Sequence, residues 1–282
     1  MHVNPRAKIN LTLSVGPRGA DGYHPVESHF LRVGLSDELV VAWADQGADT
    51  LTITGLPGCP VEGNLVLRAF AAVRRAVGQD LPPLAAHLDK RIPMGAGLGG
   101  GSSDAAAAIE AAEVMWSVGL APQVRAEIEL ELGADVPFFA RGGESALVSG
   151  RGERINQVPA PSGVAAVLLV TPPFGLSTAQ VYARFDELTP CAETTRAEPN
   201  DLWPAAASLE PRLAQIRDEL ERLTMQPWLM SGSGSSLFSL HSSPEEAAEA
   251  GRRIVSAESE LLGGAIINAV DLRGPEPLWR YP

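Results

Sequence analysis

Residues 93–103 read Pro93-Met94-Gly95-Ala96-Gly97-Leu98-Gly99-Gly100-Gly101-Ser102-Ser103 and run without a break into an alanine-rich helical pattern over 104–118. This junction restricts the fold more than any other stretch. Five glycines in the seven positions 95–101 permit positive φ angles and a close backbone approach that side chains would obstruct. A helix starting there leaves its first amides unpaired at the positive end of its dipole, which makes an anion cradle suited to phosphate. Ser102 or Ser103 is placed to cap that helix. The alternative is a flexible linker, but the strand-like segment 86–92 and the capped helix on either side argue against it.

The loop is not the common nucleotidase P-loop, G-x-x-x-x-G-K-[ST], because glycine occupies position 101 where a lysine is required. Gly95, Gly97 and Gly100 spell G-x-G-x-x-G. No acidic ribose-binding residue follows about 20 positions later, so the dinucleotide fingerprint is incomplete. A phosphate loop without its own lysine must take positive charge from elsewhere. Of the 22 basic residues only Lys8 and Lys90 are lysines, leaving 20 arginines, so each lysine is a candidate. A lysine is a compact charge that can approach a single oxygen where a planar guanidinium would not fit.

The net charge of −12 excludes a backbone-reading nucleic-acid binder, which needs a basic patch. No run approaches 18 apolar residues and residues 1–6 carry no apolar signal core, so the expectation is a cytoplasmic protein with no membrane partner. Cys59 and Cys191 have no metal-ligand spacing and are expected to be reduced thiols.

Alternation over 3–15 predicts a strand with Lys8, Asn10 and Thr12 on one face. Further strands are expected at 27–33, 37–44 and 50–54, then a helix over 64–77 that stops at Gly78. After the glycine loop and its helix come a helix over 123–132 and a short turn holding Asp135. A Pro-rich turn at 159–163 sets the expected domain boundary, giving units 1–158 and 159–282. The second unit is read as a buried strand over 164–170, helices over 178–185, 209–223 and 244–256, and strands over 228–230, 237–240 and 264–270. A Pro-rich loop spans 189–204, and a second glycine turn spans 231–236. Strands mixed with helices in both halves indicate α+β architecture.

Three motifs stand together, a strand carrying Lys8 and Asn10, the glycine loop and the late turn 231–236, and the match narrows on Ala7-Lys8-Ile9-Asn10-Leu11 with Ala20-Asp21-Gly22-Tyr23-His24, the loop, and Leu132-Gly133-Ala134-Asp135-Val136-Pro137-Phe138. In this order they resemble the GHMP kinase superfamily, and within it the branch whose acceptor is a cytidine-diphosphate-linked methylerythritol. The resemblance implies a two-domain fold, with an N-terminal ATP-binding domain and a C-terminal substrate-side α/β sandwich domain. It implies ATP and Mg2+ as cofactors, without naming the metal's ligands, and a monomer or weak homodimer. Asp135 is implied as catalytic base and Lys8 as its charged partner. Asn64, Leu65 and Val66 with Lys90 and Met94 are implied to line the adenine side, and Ser102 and Ser103 to bind phosphates. Asn10, Tyr23, His24 and Tyr182 are implied on the acceptor side, with Gly232, Ser233 and Gly234 closing over it. Asp104, in the first turn of the predicted helix, reads as a complement to the helix dipole. Homoserine- or mevalonate-type acceptors, and a catalytically silent sensor, are the other readings. Neither acceptor carries a base for Tyr23 and His24 to hold.

Overall fold

A computed structural model describes residues 1–45, 47–141, 143–188, 198–272 and 277–281. Cys191 and residues 189–197 of the expected Pro-rich loop lie outside them. Cys59 is a free, half-buried thiol. In chain order the elements begin β1 His2–Val3, β2 Arg6–Val15, β3 Val26–Ser36, β4 Glu38–Trp43, β5 Thr50–Gly55, α1 Leu65–Val77, β6 Leu84–Lys90 and α2 Gly100–Trp116. They continue α3 Pro122–Leu132, α4 Val136–Ala140, β7 Ser145–Gly150, β8 Arg154–Gln157, β9 Ala166–Thr171, α5 Thr178–Leu188, α6 Trp203–Leu209 and α7 Arg212–Thr224. The last are β10 Leu229–Met230, β11 Leu237–His241, α8 Pro244–Ser256, a short 3-10 turn, β12 Ile266–Asp271 and β13 Pro277–Tyr281.

The strands form three sheets, ordered β1-β4-β6-β5, β2-β3-β7-β8 and β10-β11-β9-β12-β13. Only the β5–β6 pair is parallel among the described pairs. In α2, the alanines at 105–108, 111 and 112 are almost entirely buried because methyl-sized side chains let the helix pack closely against α1, α4 and the β4 sheet. Strand β9 is buried along its whole length. Ala166, Leu168 and Val170 pack under the C-terminal helices, while Val167 and Leu169 join Ile9, Leu31 and Val33 in a cluster linking the second and third sheets. Burial on both faces explains why that strand reads as a continuous apolar run.

Three expectations are corrected. First, α2 starts at Gly100, with Gly99 at the N-cap in the left-handed region (φ 70°) and no side-chain cap. Ser102 and Ser103 therefore sit inside the first turn and do not cap it. Second, the helix expected over 209–223 begins only at Arg212, as α7, and residues 203–209 form a separate helix, α6, that was not anticipated. The residue before Pro211 is driven out of helical geometry, with Glu210 at φ −134°, ψ 88°. Third, the β2–β3 register shifts between Asn10 and Thr12. The irregularity turns Thr12 out to solvent and brings Leu13 to the inner wall, so Thr12 does not share the face of Lys8 and Asn10. Strand β13 carried no clear alternation and was not anticipated.

Candidate active site

The glycine loop is tied down by its carbonyls. Leu98 O accepts from Lys8 N (3.0 Å), Ala96 O from Ser236 N (3.2 Å) and Gly97 O from the Ser231 hydroxyl (2.8 Å). The amides of Gly97, Leu98 and Gly99 donate no hydrogen bond among the described residues. Gly95, Gly97 and Gly99 all have positive φ. A Cβ on Gly97 would stand 2.0 Å from Ser231 O, so only glycine allows this contact. Carbonyls bound to protein and amides left free, beside the start of a 17-residue helix, form the anion cradle expected from the sequence.

Beside the loop, the Lys8 ammonium lies 3.3 Å from Asp135 Oδ2 and donates to Asn10 Oδ1 at 2.6 Å. The Asn10 amide nitrogen in turn donates to Ser28 Oγ at 2.8 Å. The Phe30 ring lies 4.6 Å from the ammonium. Only 4% of the lysine side chain is exposed against 29% of the aspartate, so Lys8 is buried and fixed while Asp135 faces open space. Asp135 occupies the N-cap position of α4 yet makes no cap hydrogen bond. The chain thereby forgoes about 1 kcal/mol of helix stabilisation and leaves the carboxylate free toward the cavity.

That cavity is about 1500 Å³, larger than the several hundred Å³ typical for one ligand, so it has room for two. At its far end stand Tyr23, His24 and Tyr182. His24 Nδ1 meets Gly16 O at 2.8 Å and Nε2 meets Asp186 Oδ1 at 3.1 Å, so both ring nitrogens are held. The His24 and Tyr182 rings are 5.4 Å apart. Burial, reinforced by the Asp135 charge, pushes the Tyr182 phenol up to about 12, which keeps it neutral at ordinary pH. Tyr23 is 55% exposed and carries the Arg151 guanidinium over its ring at 3.7 Å.

Of the residues expected at the site, Lys8, Asn10, Tyr23, His24, Asn64, Leu65, Lys90, Pro93 through Ser102, Asp135, Tyr182, Gly232 and Ser233 line this one cavity. Val66, Ser103 and Gly234 do not. Val66 is fully buried in the core beneath α1. Ser103 is turned inward by the early start of α2. Gly234 faces Met230 and Leu176.

Lys90 lines the cavity, but its charge is committed. Its ammonium lies 2.5 Å from Asp37 Oδ2 and 2.8 Å from Asp104 Oδ2, with all three side chains almost fully buried. Burial pulls Lys90 down, but the two carboxylates outweigh it and hold the group above its ordinary value. Burial, with the Asp37 charge adding to it and Lys90 opposing, pushes Asp104 up to about 7. Asp104 thus serves Lys90, which corrects the helix-dipole role expected from the sequence. Asp37 Oδ1 also accepts from the amides of Arg91 and Ile92, pinning the entry to the glycine loop. Sequence reasoning missed Asp37, Ser28, Phe30, Asp186 and Arg151. Each lies outside the motifs and acts through a neighbour distant in sequence.

Residues 64–143 match the GHMP kinases N terminal domain and residues 192–259 the GHMP kinases C terminal domain. The chain is 38% identical over 275 residues to a 4-diphosphocytidyl-2-C-methyl-D-erythritol kinase from Pelotomaculum thermopropionicum, covering 91% of this chain and 94% of that one. A kinase of the same name from Brucella melitensis is 38% identical, with 88% of each chain covered. Among solved structures, a 4-(cytidine 5'-diphospho)-2C-methyl-D-erythritol kinase superposes with a TM-score of 0.75 at 32% identity, covering 96% of this chain and 99% of that one. A homoserine kinase from Cytophaga hutchinsonii superposes at 0.69 with 17% identity, covering 99% of this chain and 97% of that one, and so shares the fold.

Proposed function

Because the chain belongs to the GHMP kinases and, within them, to the family of its 4-diphosphocytidyl-2-C-methyl-D-erythritol kinase relatives, we propose that it transfers the γ-phosphoryl group of ATP to the 2-hydroxyl of that acceptor. This is a step of the non-mevalonate route to isoprenoids. The observation that carries the reading is one cavity holding the anion cradle, the Lys8–Asp135 pair and the Tyr23–His24–Tyr182 group. No helix among the described residues is long and apolar enough to cross a membrane.

The 2-hydroxyl sits on a carbon that also bears a methyl group, so it is a hindered tertiary alcohol and a weak nucleophile. It must lose its proton as its oxygen bonds to phosphorus and the bond to the β-phosphate oxygen breaks. Asp135 is the acceptor for that proton. Lys8 presents positive charge beside the attacking oxygen, and Asn10, Ser28 and Phe30 hold it there before reaction begins. The free amides of the loop and the α2 N-terminus receive the nucleotide's phosphates, while Asn64, Leu65 and Met94 line the adenine side. Tyr23 and Tyr182 offer aromatic faces for the cytosine, and His24 lies between them and Asp186.

Magnesium is held mainly by substrate phosphates, waters and one or two protein oxygens. The described residues contain no three-ligand cluster that would bind a metal alone. They do offer the Ser102 hydroxyl, on the cavity wall in the first turn of α2, which would hold an ion delivered with the nucleotide. When bound, such an ion would supply positive charge to the transferring group.

An acceptor panel tests the function. With ATP held constant, kcat/KM for the cytidylyl acceptor exceeds that for homoserine or mevalonate by at least about 10³-fold, because a site built to pair a polar base discriminates strongly against ligands lacking one. Preference for homoserine or mevalonate would refute the assignment. A second prediction concerns the cradle. Gly97→Ala forces the loop away from Ser231 and lowers kcat/KM for ATP by about ten- to a hundredfold, as a misplacement near 1 Å does. Steady-state kinetics with ATP varied would reveal a change of less than twofold if the contact were dispensable.

A further inference from the structure

The acceptor proposed above carries a diphosphate between its base and its polyol, and the protein has a net charge of −12. That diphosphate therefore needs local positive charge. Among the described residues, the cavity is lined by four basic side chains, Lys8, Arg18, Lys90 and Arg151. Lys8 is paired with Asp135 and Lys90 is held between two buried carboxylates. Arg18 donates its Nε to Gly22 O at 2.9 Å and lies 3.9 Å from Asp186. Arg151 has only a marginal ion pair with Asp21, at 4.0 Å with both side chains about half exposed. Such a pair is weak and screened. Arg151 thus has the least committed positive charge on the cavity wall.

Its placement is not accidental. Arg151 sits on the turn between β7 and β8, flanked by Gly150 and Gly152, both at positive φ. A Cβ on Gly152 would fall 2.0 Å from Ala134 O, so the turn abuts the residue preceding Asp135. The Arg151 amide is fixed by Glu153 Oε2 at 2.6 Å. From this anchored turn the guanidinium reaches across to one face of the Tyr23 ring, leaving the other face for a base.

We propose that Arg151 is a specificity-determining residue for the acceptor. It backs the Tyr23 ring as a stacking platform and holds a positive charge where the acceptor's diphosphate must pass between that ring and Asp135. A planar guanidinium does both, since it stacks on aromatic faces and pairs with phosphate oxygens through its edge. The inference rests on the function proposed above.

Arg151→Ala and Arg151→Lys enzymes are compared with the unaltered protein at low and high salt, with acceptor and ATP varied separately. Arg151→Ala raises the acceptor KM about five- to tenfold, the size expected from a cation–π contact plus a partly screened charge. The loss falls on the acceptor KM, with the ATP KM changed less than about twofold. The rise of acceptor KM with salt, present in the unaltered enzyme, flattens in Arg151→Ala and persists in Arg151→Lys, which keeps the charge but recovers only part of the affinity. An unchanged acceptor KM and salt response in Arg151→Ala overturns the role of Arg151 alone. Equal losses with ATP and acceptor also overturn it, since they would make the turn a mere support for Asp135. Failure of the unaltered protein to phosphorylate this acceptor overturns the underlying reading and this inference with it.

Discussion

Asp135→Asn is expected to lower kcat by about 10³-fold while changing ATP affinity less than about threefold. The substitution keeps the shape of the side chain, so the α4 start and the cavity wall stay in place. What it removes is the capacity to accept a proton. It also turns an amide toward Lys8, whose ammonium lies 3.3 Å from the present carboxylate and would retain only Asn10 as its short partner. The loop carbonyls bound by Lys8, Ser231 and Ser236 are untouched, so the nucleotide's phosphates keep their amides. Rapid-quench turnover paired with calorimetric ATP titration separates the two effects. Turnover within tenfold of the unaltered enzyme would mean that the proton goes elsewhere.

The second large effect is on stability. Lys90→Met removes the one ammonium between Asp37 and Asp104 and leaves two carboxylates buried side by side. Breaking a buried ion pair from one side costs about 3–5 kcal/mol. For a protein of this size that lowers the melting temperature by on the order of 10 °C. The sign of the pH dependence follows. Without the ammonium that opposes burial and the Asp37 charge, Asp104 binds its proton more tightly in the folded state than in the unfolded chain. The variant therefore gains stability relative to the unaltered protein as pH falls from about 8 toward 5. Adding Asp104→Asn to Lys90→Met recovers part of the loss at neutral pH by removing one of the stranded charges. Thermal melts across pH check both statements, and a pH-independent loss would show that the lysine acts only by packing.

Much of this site was legible in the sequence for a physical reason. The cradle needs glycines at fixed positions, whereas Lys8, Asn10 and Asp135 were singled out by the resemblance of their motifs to the GHMP kinases. Gly78 closes α1 in the left-handed conformation, as its place after the last apolar residue indicated. The misread features depend on partners remote in sequence. Glycine at the N-cap of α2 departs from the usual preference for a hydroxyl or carboxylate, because here the helix start opens on the cavity and has no side-chain cap. The irregularity after Asn10 is imposed by pairing with β3 and leaves no mark in the alternation of β2. Lys90 lines the cavity as expected, but nothing near it in sequence discloses Asp37. Arg151 was indistinguishable in sequence from the other 19 arginines until the fold brought it onto Tyr23.

The central claim is that a tertiary alcohol receives a phosphoryl group while the acceptor's diphosphate stays intact. Phosphorus NMR of the protein with ATP, magnesium and the cytidylyl acceptor tests it directly. The account predicts that ADP and one new phosphomonoester resonance grow in equal amounts, with the acceptor's diphosphate signals retained. Formation of ADP with inorganic phosphate and no new monoester, or loss of the acceptor's diphosphate signals, would contradict it.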